Sequence, residues 1–100
     1  MRRDEAIFRL KQAEPELRSL GVVALYLFGS VARDDARVDS DVDVFIDPVS
    51  DASFGFLKYM DAYEVIRKSL GEGVEVEYST RDGLHPMLRD QIVQSAIRVF

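Results

Sequence analysis

Apolar and polar positions along the chain follow two different periods, and three segments have the pattern of strands. Residues 22–28 are seven consecutive apolar residues rich in strand formers, which predicts a strand buried on both faces. Residues 41–47 and 74–78 alternate between apolar and acidic or polar positions, as strands with one apolar side do. Three strands are therefore expected, and two of them carry carboxylates along one side.

Helical spacing fills the segments between and around these strands. Residues 4–20 are apolar at helical intervals, and Pro15 either kinks this helix or starts a second one. A short helical turn follows in 30–37, and residues 54–70 predict a longer helix. Its expected inner stripe is Phe56, Tyr59, Met60, Tyr63, Ile66 and Leu70. A last helix is predicted from Pro86, with Leu88, Ile92, Val93, Ala96 and Ile97 facing inward.

This αβαβαβα order predicts an α/β layered fold with a small sheet. A length of 100 residues, 47% of them hydrophobic, is enough for one domain over residues 1–100. The absence of cysteine excludes disulfides, thiolate metal sites and cysteine nucleophiles, and favours a cytoplasmic location. No apolar run approaches the roughly 20 residues of a membrane span. A net charge of -5 argues against direct nucleic-acid binding, which normally requires a basic face.

A glycine-serine pair, Gly29 and Ser30, stands where the first strand passes into the short helix. Glycine lets a ligand approach the backbone, and the first N–H groups of a helix are free to bind an anion. Arg33 lies three residues on, on the same helical face as Ser30. A phosphate-binding turn fits these residues, and so does an ordinary tight turn with a capping serine.

Two aspartates, Asp41 and Asp43, share one side of the second strand, with Cα atoms roughly 6.6–6.8 Å apart. Such a pair repels unless a cation lies between its members, and Mg²⁺ prefers oxygen ligands of this kind. A solvated strand face is the alternative. A calcium loop of the EF-hand type is excluded, because Val44 and Ser50 stand where that loop needs glycine and glutamate.

A third carboxylate is expected from the last predicted strand, either Glu75 or Glu77. If this strand lies beside the aspartate strand with the apolar sides aligned, all the acids share one face. A third carboxylate there can complete a metal site or act as general base toward an attacking hydroxyl. A solvated face again remains open, above all for Glu77.

Taken together and in this order, the residues resemble the minimal nucleotidyltransferases of the DNA polymerase β-like superfamily. The segment LFGSVARDDARVDSDVDVFID carries the Gly-Ser, Ala-Arg and Ser-Asp-x-Asp of that signature, and residues 74–100 resemble its C-terminal segment. The resemblance implies the nucleotidyltransferase fold, a small mixed sheet flanked by helices. One departure is Asp34, where family members commonly have glycine; it adds negative charge near the phosphates or faces solvent.

By this resemblance the chain would use ATP as substrate and Mg²⁺ as cofactor. Asp41, Asp43 and Glu75 would be the metal-binding and catalytic carboxylates. The implied nucleotide-binding residues are Gly29, Ser30, Arg33 and Ser40. Short members of the family resemble the antitoxins of HEPN/MNT pairs, in which the antitoxin transfers AMP to a tyrosine of a HEPN ribonuclease toxin. A HEPN toxin is therefore the expected partner.

Three other functions remain open on the sequence alone. A non-catalytic antitoxin would only cover its partner's active site. A small-molecule nucleotidyltransferase would need a second domain or subunit to bind its acceptor, since an acceptor-binding lobe is not expected within these 100 residues. A plain interaction domain would bind no nucleotide in the presence of Mg²⁺.

Overall fold

A computed structural model describes residues 1–100, apart from the side chain at position 51. Five helices and four strands lie in these residues. Their order agrees with the seven predicted elements once the first predicted helix is divided into two, and one further strand follows at the end. Their bounds are α1 Arg3–Lys11, α2 Glu14–Ser19, β1 Val22–Phe28, α3 Gly29–Arg33, β2 Val42–Pro48, α4 Asp51–Leu70, β3 Val76–Thr80, α5 Arg89–Ser95 and β4 Ile97–Arg98. Pro15 stands in the first turn of α2, so it starts a second helix.

The four strands form one mixed sheet in the order β3-β2-β1-β4. β1 is antiparallel to both β2 and β4, whereas β2 and β3 are parallel. The parallel connection from β2 to β3 is made by α4, as a crossover between parallel strands requires. The predicted α/β fold with a small mixed sheet is confirmed.

One face of the sheet packs against the helices and forms the core. Val42, Val44 and Ile46 of β2 are fully buried there with Leu25 and Leu27 of β1. Helices α1, α2 and α4 contribute the opposing side chains, among them Leu10, Leu17, Ile66 and Leu70. The aspartates of β2 therefore point to the opposite face, as the alternation predicts.

Burial of β1 is less complete than predicted. Leu25 and Leu27 are fully buried, but Val23 is 40% exposed. The reason is a register shift between Val22 and Ala24, which displaces Val23 from the regular pairing with β2.

The inner stripe predicted for the long helix is wrong at Phe56 and Met60, whereas Tyr59 packs against the core as predicted. Phe56 is 74% and Met60 40% exposed, while Phe54 and Ala62 are buried instead. The buried line of the helix runs through Ala62, Ile66 and Leu70 at four-residue spacing, and Phe56 and Met60 lie off that line. Phe54 lies before Gly55, whose non-helical backbone (φ 60°, ψ 173°) separates it from the rest of the helix. Further along, the predicted Ile66 and Leu70 are fully buried.

The C-terminal segment also departs from the prediction. The last helix begins at Arg89 instead of Pro86, and none of its residues is buried. Leu88, expected inside, is 49% exposed. Ala96 and Ile97, which the prediction placed on the inner face of the helix, lie beyond its end: Ala96 has extended backbone, and Ile97 lies in β4, where it pairs with Leu27 of β1. Strand pairing at the free edge of β1 thus outweighs the helical spacing.

No helix in the part of the chain that the structure describes combines the length and the apolar character needed to cross a bilayer.

Candidate active site

Gly29 connects β1 to the short helix α3, with a φ of +75° that side chains other than glycine rarely adopt. The space beside its α-carbon is occupied by the carboxyl group of Asp43. A Cβ added at Gly29 would overlap Asp43 Oδ2 and lie 3.0 Å from its Cγ. The glycine therefore allows the Asp43 carboxylate to lie against the backbone of the strand-to-helix turn, and Ser30 follows in the first turn of α3.

The register of the two parallel strands decides which glutamate accompanies Asp43. Asp43 of β2 is paired with Glu77 of β3, so these side chains leave the same face of the sheet at neighbouring positions. Glu75 precedes the first residue of β3, where its carbonyl oxygen accepts a hydrogen bond from Val42 N–H at 2.9 Å. The structure thus brings Glu77, rather than the favoured Glu75, next to Asp43.

Electrostatics single out Asp43 within this group of acids. Burial raises the pKa of its carboxyl group to about 6, and the negative charges of Glu77 and Asp41 add to the rise. The guanidinium of Arg33 lowers this pKa, which places a cation within reach of the same carboxylate. Asp41 and Glu77 are exposed at the sides of the half-buried Asp43. A bound cation would relieve the repulsion among these three carboxylates.

A metal ion bound at this site would need some of its ligands from a substrate. Among the side chains that the structure describes, no three aspartate, glutamate, histidine or cysteine groups are arranged to hold a metal ion together. The predicted metal ligands Asp41, Asp43 and Glu75 therefore do not form a preassembled triad. Mg²⁺ typically takes one or two protein carboxylates and completes its shell with water and substrate phosphates. The Asp41 and Asp43 oxygens fit that requirement.

The two other polar residues predicted to bind nucleotide are engaged within the chain. Arg33 Nε donates to Asp35 Oδ2 at 3.2 Å in an exposed ion pair. Ser40 Oγ accepts a hydrogen bond from Arg37 N–H at 2.8 Å, and it closes the turn that leads into β2. The Arg33 pair is solvent-exposed and costs little to break. Ser40 stabilises the turn immediately before Asp41.

Asp34, the departure from the family pattern, has a structural role. It adopts the left-handed conformation (φ 60°), which explains why glycine suits this position. Its carboxylate accepts hydrogen bonds from Arg3 N–H and from Arg2 Nη2, at 3.1 and 3.2 Å. The backbone hydrogen bond from Arg3 is the main reason that the pKa of Asp34 is lowered. The charge of Asp34 thus caps the start of α1.

Sequence patterns did not identify Arg81, which lies on the same face as the acids, beyond the end of β3. Its guanidinium donates two hydrogen bonds of 2.8 Å to the carboxylate of Asp47. It also lies 5.1 and 5.3 Å from the ring centres of Tyr26 and Phe45, which stack on each other at 4.7 Å. The parallel register of β2 and β3 continues to Arg81, whose N–H bonds to Ile46 O. The ion pair of Arg81 with Asp47 could have been predicted only from that register.

Comparisons with known proteins agree with the geometry. Residues 10–99 match the family described as nucleotidyltransferase domain. A protein of Methanocaldococcus jannaschii, provisionally named a protein adenylyltransferase, is 32% identical over 87 residues, covering 85% of this chain and 87% of the relative.

Two solved structures are similar over most of the chain. A provisionally assigned minimal nucleotidyltransferase has a TM-score of 0.78 and 30% identity, covering 97% of this chain and 95% of the other. A toxin-antitoxin structure with AMP-PNP has a TM-score of 0.66 at 16% identity, covering 90% of this chain and 72% of that one. The second likeness concerns the fold alone.

Proposed function

Because this chain belongs to the nucleotidyltransferase domain family, we propose that it transfers AMP from ATP to a tyrosine hydroxyl of a partner HEPN ribonuclease toxin. The modification would neutralise the toxin, so the chain would act as an antitoxin in the cytoplasm. The position of Asp43 is the main support for a catalytic role, because this residue lies against Gly29 and in register with Glu77. The similarity to a provisionally named protein adenylyltransferase supports a protein acceptor.

Asp41 and Asp43 are the residues that would hold Mg²⁺, together with the phosphates of ATP. A bound Mg²⁺ would supply positive charge that offsets the charge of the phosphates and of the carboxylates. The N–H groups around Gly29 and Ser30 would hold phosphate oxygens, and Arg33 would turn from Asp35 to the same anion. This arrangement uses positioning and electrostatics, which account for most of the catalysis in phosphoryl-type transfers.

Glu77 is proposed as the third carboxylate, in place of Glu75. In the reaction the acceptor oxygen forms a bond with the α-phosphorus, and the bond from that phosphorus to the bridging oxygen of the pyrophosphate breaks. The hydroxyl proton passes to the Glu77 carboxylate, and pyrophosphate leaves with the bonding electrons. A glutamate beside Asp43 is in the right place to accept that proton.

The partner is inferred from the structural neighbours and the form of the site. The toxin-antitoxin structure with AMP-PNP has the same fold, which supports a nucleotide and a partner protein for this chain. The net charge of -5 disfavours nucleic acid as the acceptor.

Calorimetric titration with ATP in the presence of Mg²⁺ tests the nucleotide-binding part of the proposal. Binding that requires Mg²⁺ and disappears in the Asp41→Asn/Asp43→Asn variant supports it. Absence of binding by the wild-type chain contradicts it and favours an interaction domain or a non-catalytic antitoxin.

A further inference from the structure

β3 is an edge strand, because it pairs with β2 on one side and with no other strand of the described sheet. The hydrogen bonds to β2 involve the backbone of alternate residues: Val42 N–H bonds to Glu75 O, and Arg81 N–H to Ile46 O. The backbone groups of Val76 and Tyr78 therefore point away from the sheet. The Tyr78 carbonyl accepts a hydrogen bond from the Tyr59 hydroxyl at 3.5 Å, which leaves the Val76 groups and the Tyr78 N–H for a further strand. An edge with unpaired N–H and C=O groups is a template for a further strand.

A cavity of about 530 Å³ opens beside the same edge. Phe54, Tyr59 and Tyr78 provide aromatic walls, and Ser79 and Thr80 provide hydroxyl groups. A volume of this size and an aromatic lining with a few polar groups are typical of sites that receive a bulky side chain or small ligand. Ser79 also shares the sheet face of Glu77, so the cavity and the carboxylate face meet at this strand.

Exposed apolar side chains adjoin the cavity on α4. Phe56, which lines the cavity, is 74% exposed, and Leu57 is 77% exposed beside it. Met60, one helical turn after Phe56, is 40% exposed. Phe54, before the break at Gly55, is buried, whereas Phe56, after it, lies at the surface. Adjacent exposed apolar residues of this kind mark interaction sites.

We propose that the β3 edge and the adjoining cavity are the docking site for an extended segment of the acceptor protein. That segment pairs with the backbone of Val76 and with the N–H of Tyr78, and it places one bulky apolar side chain in the cavity against Phe56. The occupant is the acceptor, because β3 itself carries Glu77, and a segment held along this strand has its receiving hydroxyl next to that carboxylate. The inference rests on the proposed function, since it needs a protein acceptor.

A matched pair of substitutions tests the docking site. Phe56→Asp removes the apolar contact at the cavity, and Phe8→Asp makes the same change at a phenylalanine of α1 that is 67% exposed away from it. Both side chains are exposed, so both variants are expected to fold. With the HEPN toxin of the proposed function as the probe, Phe56→Asp is expected to raise the Kd of the complex at least about tenfold. Phe8→Asp should change it less than twofold, and neither variant should change the Kd for MgATP.

Amide hydrogen exchange gives a second readout that does not depend on substitution. The amides of Val76 and Tyr78 are expected to exchange fast in the free chain and to become protected when the HEPN protein binds. Unchanged exchange at both amides, or equal Kd values for the two aspartate variants, overturns the docking site. So does a change in the chain's own oligomeric state in Phe56→Asp, which would assign the surface to a second copy.

The outcomes separate this inference from the proposed function. If AMP transfer occurs and Phe56→Asp leaves acceptor binding unchanged, the docking site is wrong and the function stands. If the complex forms with protection at β3 but no AMP is transferred, the docking site stands and the catalytic proposal fails. If no complex forms, the docking site is overturned.

Discussion

The carboxyl group of Asp43 fills the space that a side chain at Gly29 would need. Two features that are fourteen positions apart in the sequence, a glycine turn and an acidic strand, are thus one piece of structure. The close approach places the carboxylate at the first N–H groups of α3, where a phosphate and its metal ion would meet.

Substitution of Gly29 by alanine is expected to remove MgATP binding. Gly73 provides the control, because its φ of +81° is equally unfavourable for alanine while an added Cβ would contact nothing within 4 Å. Both variants should lose about 1–2 kcal/mol of stability through backbone strain. Only Gly29→Ala displaces Asp43, so calorimetry should show MgATP binding by Gly73→Ala and none by Gly29→Ala. Equal affinities in the two variants would contradict the role given to the contact.

Replacement of Asp43 by asparagine is expected to stabilise the fold at pH 7. The folded-state pKa of about 6 lies above the ordinary pKa of 3.8 for an aspartate, so the folded chain holds this proton more tightly than the unfolded chain between these values. Stability contributed by the protonated form is present below about pH 4 and is lost as the pH rises through 6. Urea unfolding should therefore show Asp43→Asn about 1–3 kcal/mol more stable at pH 7, with the gain shrinking toward pH 4. A gain that is independent of pH would show that ionisation of the half-buried Asp43 carboxyl group is not its cause.

Substitutions of Glu77, within β3, and of Glu75, just before it, should differ in their effect on catalysis. Glu77→Gln is expected to lower the rate of AMP transfer about 100-fold or more, as loss of a general base does. Glu75→Gln, outside the strand register with Asp43, should retain most of the activity. Single-turnover transfer rates at saturating MgATP measure the difference. The reverse order would restore Glu75 as the third carboxylate.

Substitutions of Arg81 and Asp47 should have coupled effects on the stability of the fold. Arg81→Met leaves a partly buried carboxylate without its partner, and it is expected to cost about 1–2 kcal/mol of stability after allowance for the solvent exposure of the pair. Arg81→Met/Asp47→Leu removes both charges and should be closer to wild type. Thermal unfolding of the single and double variants measures the coupling. The explanation would be excluded if the double variant lost more stability than the two single variants together.

Sequence reasoning predicted the features that depend on local patterns. The limits of β1, the side of β2 that carries the acids, and the start of a helix near Pro15 all follow from period and turn residues. Phe56 and Met60 were wrong because the buried line of α4 is narrower than the predicted stripe and runs through Ala62, Ile66 and Leu70. The burial of Phe54 was missed because the sequence does not reveal the non-helical φ of Gly55. The choice between Glu75 and Glu77 and the pairing of Arg81 with Asp47 depend on the register of parallel strands, which no local pattern encodes.

The central claim is AMP transfer to a partner protein, and intact-mass spectrometry of that partner tests it most directly. The proposed HEPN partner is incubated with the chain, ATP and Mg²⁺, in parallel with the Asp41→Asn/Asp43→Asn variant. The account predicts a mass increase of one or more AMP units with the wild-type chain and none with the variant. An unchanged mass in a mixture that forms a complex would contradict AMP transfer and indicate an antitoxin that acts by binding alone.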